Sequence, residues 1–250
     1  MRKLTLFFIF SLLFHFITID AKGQEKPIRG LELAGGVGVS WFAKNTRSNY
    51  MEAFDSQFDS NVESFQTELK PGTFLSAELR YFKQSERFKL LGYLSYSQYS
   101  IVAQFNVERN SLGWTQHKEK RTGSNYLAGI GFNVHYLVFN QNNHHLSPYF
   151  GFGMERNVFY RIHYDQEIKF NLEQEPTTNK LTEYGRYRSL DRDYYGRIDV
   201  GIHYMYYTGR FSPFAELVGR RLTKFIVESY DSSDDYWAMY INFGVRFNFK

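Results

Sequence analysis

The last eleven residues, YINFGVRFNFK at positions 240–250, alternate strictly between two kinds of side chain. The odd positions carry Ile241, Phe243, Val245, Phe247 and Phe249, which are all large and apolar. The even positions after the tyrosine are small, polar or charged. This period of two predicts a β-strand whose two faces meet different environments. A soluble sheet would bury the apolar face under a second layer, so the rest of the chain must supply that layer.

The same alternation recurs in seven further segments, which makes eight candidate strands. They cover residues 30–42, 74–82, 87–100, 126–139, 147–160, 195–207 and 212–221. The segment 87–100 is the least clear, because Leu and Tyr occupy both of its faces.

The connections between these segments also alternate in length. Three are short, at 83–86, 140–145 and 208–210, and four are long and polar, at about 43–72, 102–124, 161–193 and 222–235. Short turns at one rim and long loops at the other, with an even number of strands, are typical of a transmembrane barrel. The pattern therefore predicts an all-β, eight-stranded antiparallel transmembrane β-barrel, with ten strands as the alternative. Lipid would cover the apolar faces.

The composition agrees with a barrel of this kind. Aromatic residues make up 19% of the 250 residues, with 25 Phe and 20 Tyr, while the mean hydropathy is −0.46. Aromatic girdles around a polar interior combine these two properties. The chain has no cysteine, which excludes disulfides and thiolate metal sites.

The N-terminus predicts export. Arg2 and Lys3 precede an apolar run at 4–19, which is short for a membrane helix, and Ala21 and Gly23 are spaced like a cleavage site. We therefore expect a signal peptide at 1–23 and a barrel at 24–250, with an uncleaved anchor as the alternative. Removing the signal peptide takes away three basic and one acidic residue, so the net charge falls from +4 to +2. The basic charge is therefore no argument for nucleic-acid binding.

Together these features resemble the small outer-membrane β-barrel proteins of Gram-negative bacteria, the superfamily of OmpA-like and PorT-like barrels. Tyr240, Phe243, Phe247 and Phe249 are similar to the aromatic terminal signal read by the barrel assembly machinery, although Lys250 follows the last aromatic residue. The resemblance implies an outer-membrane location and a porin-like barrel at the cell surface. It implies contact with outer-membrane lipid and lipopolysaccharide.

The inward-facing positions of the predicted strands carry many charged side chains. In an eight-stranded barrel the interior is just wide enough for side chains to fill. Five acidic residues against four arginines and two histidines predict a salt-bridged plug, since buried charges must be paired. The expected polar network consists of Glu32, Glu78, Arg80, His135, Glu155, Arg197, Asp199, His203, Glu216, Arg220 and Arg246. A proton or ion path is the alternative interpretation.

These patterns favour a non-enzymatic protein with a structural or surface-interaction role, whose long loops meet an unknown extracellular ligand or protein. A narrow transporter for ions or small hydrophobic molecules is one alternative, and a lipid-modifying barrel enzyme is another. No Gly-x-Ser-x-Gly motif occurs, and no serine adjoins His163 and Asp165 in the sequence. We expect no cofactor and no bound metal.

The first long connection has a period of its own. Its apolar residues are spaced by three or four positions, which is typical of an amphipathic helix. They are Met51, Phe54, Phe58, Val62, Phe65 and Leu69. The spacing predicts a short helix over 51–69, lying on the rim or against a partner; a loop or a continued hairpin is the alternative.

Overall fold

The computed structural model describes residues 28–42, 62–85, 87–109, 115–169, 175–185, 194–224 and 235–249. These residues form ten β-strands in one antiparallel sheet. The strands are β1 (Ile28–Phe42), β2 (Val62–Gln84), β3 (Phe88–Arg109), β4 (Thr115–Tyr136), β5 (Phe139–Gln141), β6 (His144–Lys169), β7 (Thr177–Gly185), β8 (Tyr194–Tyr206), β9 (Phe211–Lys224) and β10 (Asp235–Asn248). The predicted signal peptide at 1–23 lies outside the described residues and stays a prediction.

Eight of the ten strands close into a ring. Backbone pairing runs from β1 through β2, β3, β4, β6, β8, β9 and β10, and β10 pairs again with β1 over Gly30–Phe42. The short β5 and the longer β7 each pair with β6 alone among the described strands. The predicted all-β antiparallel barrel is confirmed, and the eight predicted segments correspond to the eight strands of the ring.

Short connections lie together at one rim of the barrel. The β5–β6 hairpin turns through Asn142 and Asn143, which have φ of 50° and 68°. Two consecutive residues in the left-handed region form a tight hairpin turn that matches the twist of its strands, and Asn tolerates this conformation well. The β8–β9 connection uses Gly209 with φ of 95°. We call this rim, where both described ends of the chain also lie, the turn rim.

The apolar faces of the strands point away from the ring. A band of exposed aliphatic side chains surrounds the barrel, represented by Leu33, Leu94, Ile130, Val200 and Ile241, which are between 45% and 65% exposed. Ten residue steps separate Leu31 from Trp41 on β1, which corresponds to about 33 Å along the strand. At a tilt of about 40° this gives a height of about 25 Å, the height of the apolar band of a membrane barrel.

Aromatic rings border the apolar band at both ends. At the turn rim, the ring centroids of Phe88 and Tyr136 lie 5.3 Å apart, and those of Phe211 and Phe247 lie 5.1 Å apart. At the other end, an outward row of rings crosses four neighbouring strands with centroid separations of 6.3, 5.3 and 6.1 Å. We call this row the aromatic belt; it consists of Tyr96, Tyr126, Phe159 and Tyr184. An apolar band between two aromatic girdles defines a transmembrane β-barrel of the outer-membrane type.

Several strands continue far beyond the aromatic belt. The outer parts of five strands pair with one another as a five-stranded sheet. They are 62–71 of β2, 101–109 of β3, 115–124 of β4, 159–169 of β6 and 177–185 of β7. We call this part the extended sheet. Three of the four long connections were therefore predicted too long, because much of 62–72, 102–124 and 161–185 is paired strand. Hydrogen bonds between neighbouring strands satisfy the backbone N–H and C=O groups of these polar segments without an apolar core.

The predicted helix over 51–69 is wrong for residues 62–69. These residues pair with β3 from Val62 opposite Arg109 onward, and residues 51–61 lie outside the described part of the chain. A neighbouring strand offers partners for the whole backbone, and this tertiary pairing overrides a weak local period. Among the described residues there is no helix long and apolar enough to cross a membrane.

Glycine at position 131 on β4 is required by close packing in the lumen. A Cβ atom there would lie 2.2 Å from the Tyr93 hydroxyl and 2.3 Å from the Phe152 carbonyl oxygen. Gly123 on the same strand has no atom within 4 Å of such a Cβ position. We expect Gly131→Ala to lower the free energy of unfolding by about 1–3 kcal/mol, because the backbone oxygen cannot move away cheaply. Gly123→Ala should change it by less than about 0.5 kcal/mol.

Urea unfolding of both variants in lipid vesicles, followed by tyrosine and tryptophan fluorescence, measures this difference. Equal midpoints for Gly131→Ala and Gly123→Ala would contradict the packing described for the lumen.

Candidate functional site

The polar network predicted from the sequence occupies the lumen. All eleven of its residues are at most 2% exposed. They project from seven of the eight ring strands at the inward positions of the alternation, and β3 is the ring strand that supplies none of them. The barrel interior therefore holds a charged network together with three clusters of buried apolar and aromatic side chains.

Arg197 on β8 forms the centre of the network. Its Nε donates to Asp199 Oδ2 at 2.7 Å, and its Nη1 donates to Glu155 Oε1 at 3.0 Å and to Ser95 Oγ at 3.0 Å. Its Nη2 donates to Glu78 Oε1 at 2.7 Å. Since β8 and β2 lie four strands apart in a ring of eight, the contact with Glu78 joins opposite walls of the barrel.

Arg80 makes a second contact across the lumen. Its Nη1 and Nη2 donate to the two carboxylate oxygens of Glu216 at 2.8 and 2.6 Å, and its Nε donates to Glu78 at 2.9 Å. This two-pronged geometry matches guanidinium to carboxylate and is among the strong charge-assisted hydrogen bonds. Asn242 adds a donor to Glu216 at 3.0 Å. The pair joins β2 to β9, three strands away around the ring.

Arg220 connects the charged centre to an aromatic layer. Its Nε donates to Asp199 at 2.8 Å and its Nη2 donates to Glu78 at 2.8 Å and to the Tyr240 hydroxyl. The guanidinium carbon lies 5.4 Å from the centre of the Phe74 ring and 4.9 Å from that of Tyr240, within the range of cation–π attraction.

Aromatic side chains close the lumen on the side of the extended sheet. Phe74 contacts Tyr99 at 4.8 Å and Tyr240 at 4.4 Å between ring centroids, and Tyr236 contacts Tyr195 at 5.8 Å. All five rings are at most 6% exposed. This layer separates the charged network from the water beyond the barrel.

A cation that the sequence reasoning did not identify completes the network near the turn rim. Lys89 on β3 is 5% exposed, and its Nζ donates to Glu32 Oε1 at 3.0 Å. Arg246 also donates to Glu32 at 3.0 Å and to Gln84 at 2.8 Å. Lys89 has the same inward parity as Ser95 and Ser97, but β3 carries apolar residues on both faces. This shared parity was the only feature of the sequence that could have placed Lys89 in the lumen.

Two histidines lie beside this cluster. His203 Nε2 is 3.4 Å from Lys89 Nζ, and the His203 ring stacks on Phe214 at 5.0 Å. His135 stacks on Tyr149 at 4.5 Å and meets His203 edge-on at 5.3 Å. Among the described residues, no group of three or more His, Asp or Glu side chains is placed to hold a metal ion.

The lumen network now has equal numbers of both charges. Five carboxylates meet five cations, once Lys89 is counted with Arg80, Arg197, Arg220 and Arg246. A lining of paired opposite charges offers no single-sign path to an ion. Removal of one partner would leave a buried charge, which is costly.

The four aromatic residues of the predicted terminal signal, Tyr240, Phe243, Phe247 and Phe249, do not all share one face. Phe243 points outward and is 61% exposed, and Phe247 and Phe249 contact each other at 5.8 Å near the turn rim. Tyr240 points into the lumen and is 2% exposed. Tyr240 contacts Arg220 and Phe74 and is therefore part of the packing of the barrel interior.

The extended sheet carries polar side chains in ladders across its five strands. On the face continuous with the outside of the barrel, one row of directly opposed residues contains Glu68, Gln104, Lys120, Asp165 and Lys180. The next row, farther from the membrane, contains Asn106, Lys118, Glu167 and Thr178. A cavity of about 660 Å³ lies against these two rows.

The opposite face of the extended sheet has its own contacts. Arg121 lies with its guanidinium 5.3 Å from the Tyr164 ring centre and pairs with Glu119, which also accepts from Gln166 Nε2 at 2.9 Å. Desolvation and a 3.2 Å hydrogen bond to Glu183 raise the pKa of the Tyr164 hydroxyl. Side-chain contacts among the described residues thus organise this face of the extended sheet.

The chain is similar in shape to several outer-membrane barrels of known structure. Ail, the attachment invasion locus protein of Yersinia pestis, is 10% identical with a TM-score of 0.36, covering 90% of this chain and 100% of that one. Neisserial surface protein A is 9% identical with a TM-score of 0.35, covering 88% and 96%. The outer membrane protease OmpT from Escherichia coli is 10% identical with a TM-score of 0.32, covering 89% and 96%.

No protein-family model matches the chain, and no curated protein matches it in sequence. The fold therefore rests on the strand pairing and the surface of this chain itself.

Replacing the central arginine tests the network. Arg197→Ala should lower the free energy of unfolding by about 3–5 kcal/mol, because Glu78, Asp199 and Glu155 would lose a shared cation inside the barrel. Lys70→Ala removes an exposed ion pair of 3.1 Å with Glu68 and should change it by less than about 1 kcal/mol.

Urea unfolding in lipid vesicles provides both values. Similar effects of Arg197→Ala and Lys70→Ala would show that the lumen charges are hydrated rather than paired.

Proposed function

We propose that the protein is an integral outer-membrane barrel with a closed lumen, which displays the extended sheet at the cell surface for a non-enzymatic interaction role. The paired charge network carries this proposal, because it fills the lumen where a transporter would need a path. The polar extended sheet beyond the aromatic belt supports a role in surface contact, since it adds a structured polar face outside the membrane. The barrel assembly machinery would insert the chain after removal of the signal peptide.

The transporter alternative meets two obstacles inside the barrel. Arg197 joins opposite walls through Glu78, and the aromatic layer around Phe74 and Tyr240 covers the network from the extended-sheet side. Water-filled channels occur in barrels of more strands, whereas eight strands leave an interior that side chains fill. A conducting state would have to break several charge-assisted hydrogen bonds at once.

One arrangement bears on the enzyme alternative. His163 Nδ1 lies 2.9 Å from the Thr182 hydroxyl, and His163 Nε2 lies 3.5 Å from Asp165 Oδ1. A hydroxyl, an imidazole and a carboxylate are the parts of a nucleophile triad, and here the imidazole is within hydrogen-bond reach of the hydroxyl but farther from the carboxylate. His163 and Asp165 are also 35% and 40% exposed. An ordinary polar surface contact accounts for this geometry, and the interaction role remains better supported.

Conductance across a planar lipid bilayer tests the closed lumen. We expect the unmodified protein, purified from the outer-membrane fraction and showing heat-modifiable mobility in gels, to give no discrete current steps. Arg197→Ala should leak, because water would enter beside the carboxylates that lose their cation. A steady, ion-selective conductance from the unmodified protein would favour the transporter.

A thiol reporter gives an independent test of the closed lumen, because the chain has no cysteine. Ser97 is fully buried in the lumen, where its hydroxyl donates to Glu155 at 3.1 Å, and Thr208 is exposed in the β8–β9 turn. Ser97→Cys should resist a water-soluble maleimide in the folded barrel, while Thr208→Cys should react within minutes. Fast labelling of both would mean that the lumen is open to water.

A further inference from the structure

The aromatic belt fixes how far the extended sheet stands from the apolar core of the membrane. Tyr126 belongs to the belt, and Lys120 lies six residues farther along the same strand with the same outward parity. Six residues correspond to about 20 Å along the strand, or about 15 Å along the membrane normal at a tilt of about 40°. The two polar rows of the extended sheet therefore stand well above the belt, on the side that faces neighbouring lipid.

Cations on this outward face begin directly above the belt. Arg161 is exposed and lies two residues beyond Phe159, with its guanidinium 5.8 Å from the Tyr184 ring centre. Lys118 and Lys120 follow on β4 and are both exposed, and the Lys180 side chain on β7 is 75% exposed. Cations next to the interface of a membrane span attract anionic lipid head groups.

The existing partners leave these lysines available to a ligand. Lys180 is 3.9 Å from Asp165, at the limit of an ion pair. Within the described residues no ion pair is formed by Lys118 or Lys120. The cavity of about 660 Å³ against them has the size of a typical ligand pocket.

The rest of the lining suits a sugar. The side chains between the lysines are amides, hydroxyls and carboxylates, which donate to or accept from sugar hydroxyls. On the outward face they are Glu68, Gln104, Asn106, Asp165, Glu167 and Thr178. An apolar ligand would find little surface here.

We infer that the outward face of the extended sheet binds the phosphorylated saccharide head group of an outer-leaflet lipid. Lys118, Lys120 and Lys180 hold the phosphates, and the amides and carboxylates between them hold the sugar. A phospholipid head group extends only about 5–7 Å beyond the hydrocarbon, so it does not reach rows that stand about 15 Å above the belt. A head group built from several sugars does. This inference rests on the proposed outer-membrane location and names the partner of the displayed sheet.

The test uses the full protein in phosphatidylcholine nanodiscs, with a dye on Thr178→Cys as the reporter. Three probes are titrated in the presence of Mg²⁺: phosphorylated lipopolysaccharide, the same lipid after removal of its phosphates, and its soluble phosphorylated oligosaccharide. We expect the phosphorylated lipid to bind most tightly. Combined replacement of Lys118, Lys120 and Lys180 by Gln should weaken that binding by about 100-fold.

A matched variant replaces three cations near the turn rim, Lys83, Arg87 and Arg210, by Gln and should bind like the parent. Equal binding of the phosphorylated and dephosphorylated lipid, or no effect of the lysine replacements, would overturn the inference. Binding of the soluble oligosaccharide as tight as that of the lipid would identify a soluble ligand and also overturn it. A protein that fails to insert with heat-modifiable mobility would instead contradict the proposed function itself.

Discussion

Arg197 Nη2 donates a hydrogen bond of 2.7 Å to Glu78 Oε1, and this contact joins opposite walls of the barrel. The rest of the structure depends on this constraint. A guanidinium can satisfy its donors inside a protein only when carboxylates or other acceptors surround it. Asp199, Glu155 and Ser95 complete that shell, and Arg220 and Arg80 then neutralise the carboxylates. The network is therefore a single unit whose members cannot be exchanged independently.

The packing of side chains in the lumen follows from this polar interior. Arginines must reach carboxylates on the opposite wall, so smaller inward residues are needed where the large rings pack. Gly131 leaves room for Tyr93, and Gly201 leaves room for Tyr149, whose ring would lie 2.5 Å from an added Cβ. The outer face has the reverse arrangement, with aliphatic residues between two girdles of rings. The same alternation of side chains thus builds a charged inside and an apolar outside, as lipid requires.

The sequence was sufficient for the barrel because its signal has a period of two that repeats in eight places. The inward parity of Glu32, Arg80 and Arg246 could be read for the same reason. Lys89 was missed because apolar residues on both faces of β3 hide its parity. The extended sheet was taken for loops and partly for a helix, since polar strands beyond the membrane carry no alternation of hydrophobicity. Which side chains meet across the lumen depends on strand register and curvature, and neither can be derived from the alternation of side chains in the sequence.

A double-mutant cycle on Arg80 and Glu216 tests most directly whether charge pairs across the lumen hold the barrel together. The two residues sit on strands three places apart and share hydrogen bonds of 2.6 and 2.8 Å. Unfolding free energies of Arg80→Met, Glu216→Gln and the double variant, measured in lipid vesicles, give their coupling. We predict that the double variant is less destabilised than the sum of the single variants by about 1 kcal/mol or more. Additive effects within about 0.3 kcal/mol would contradict this account, because independent side chains would then line a hydrated interior.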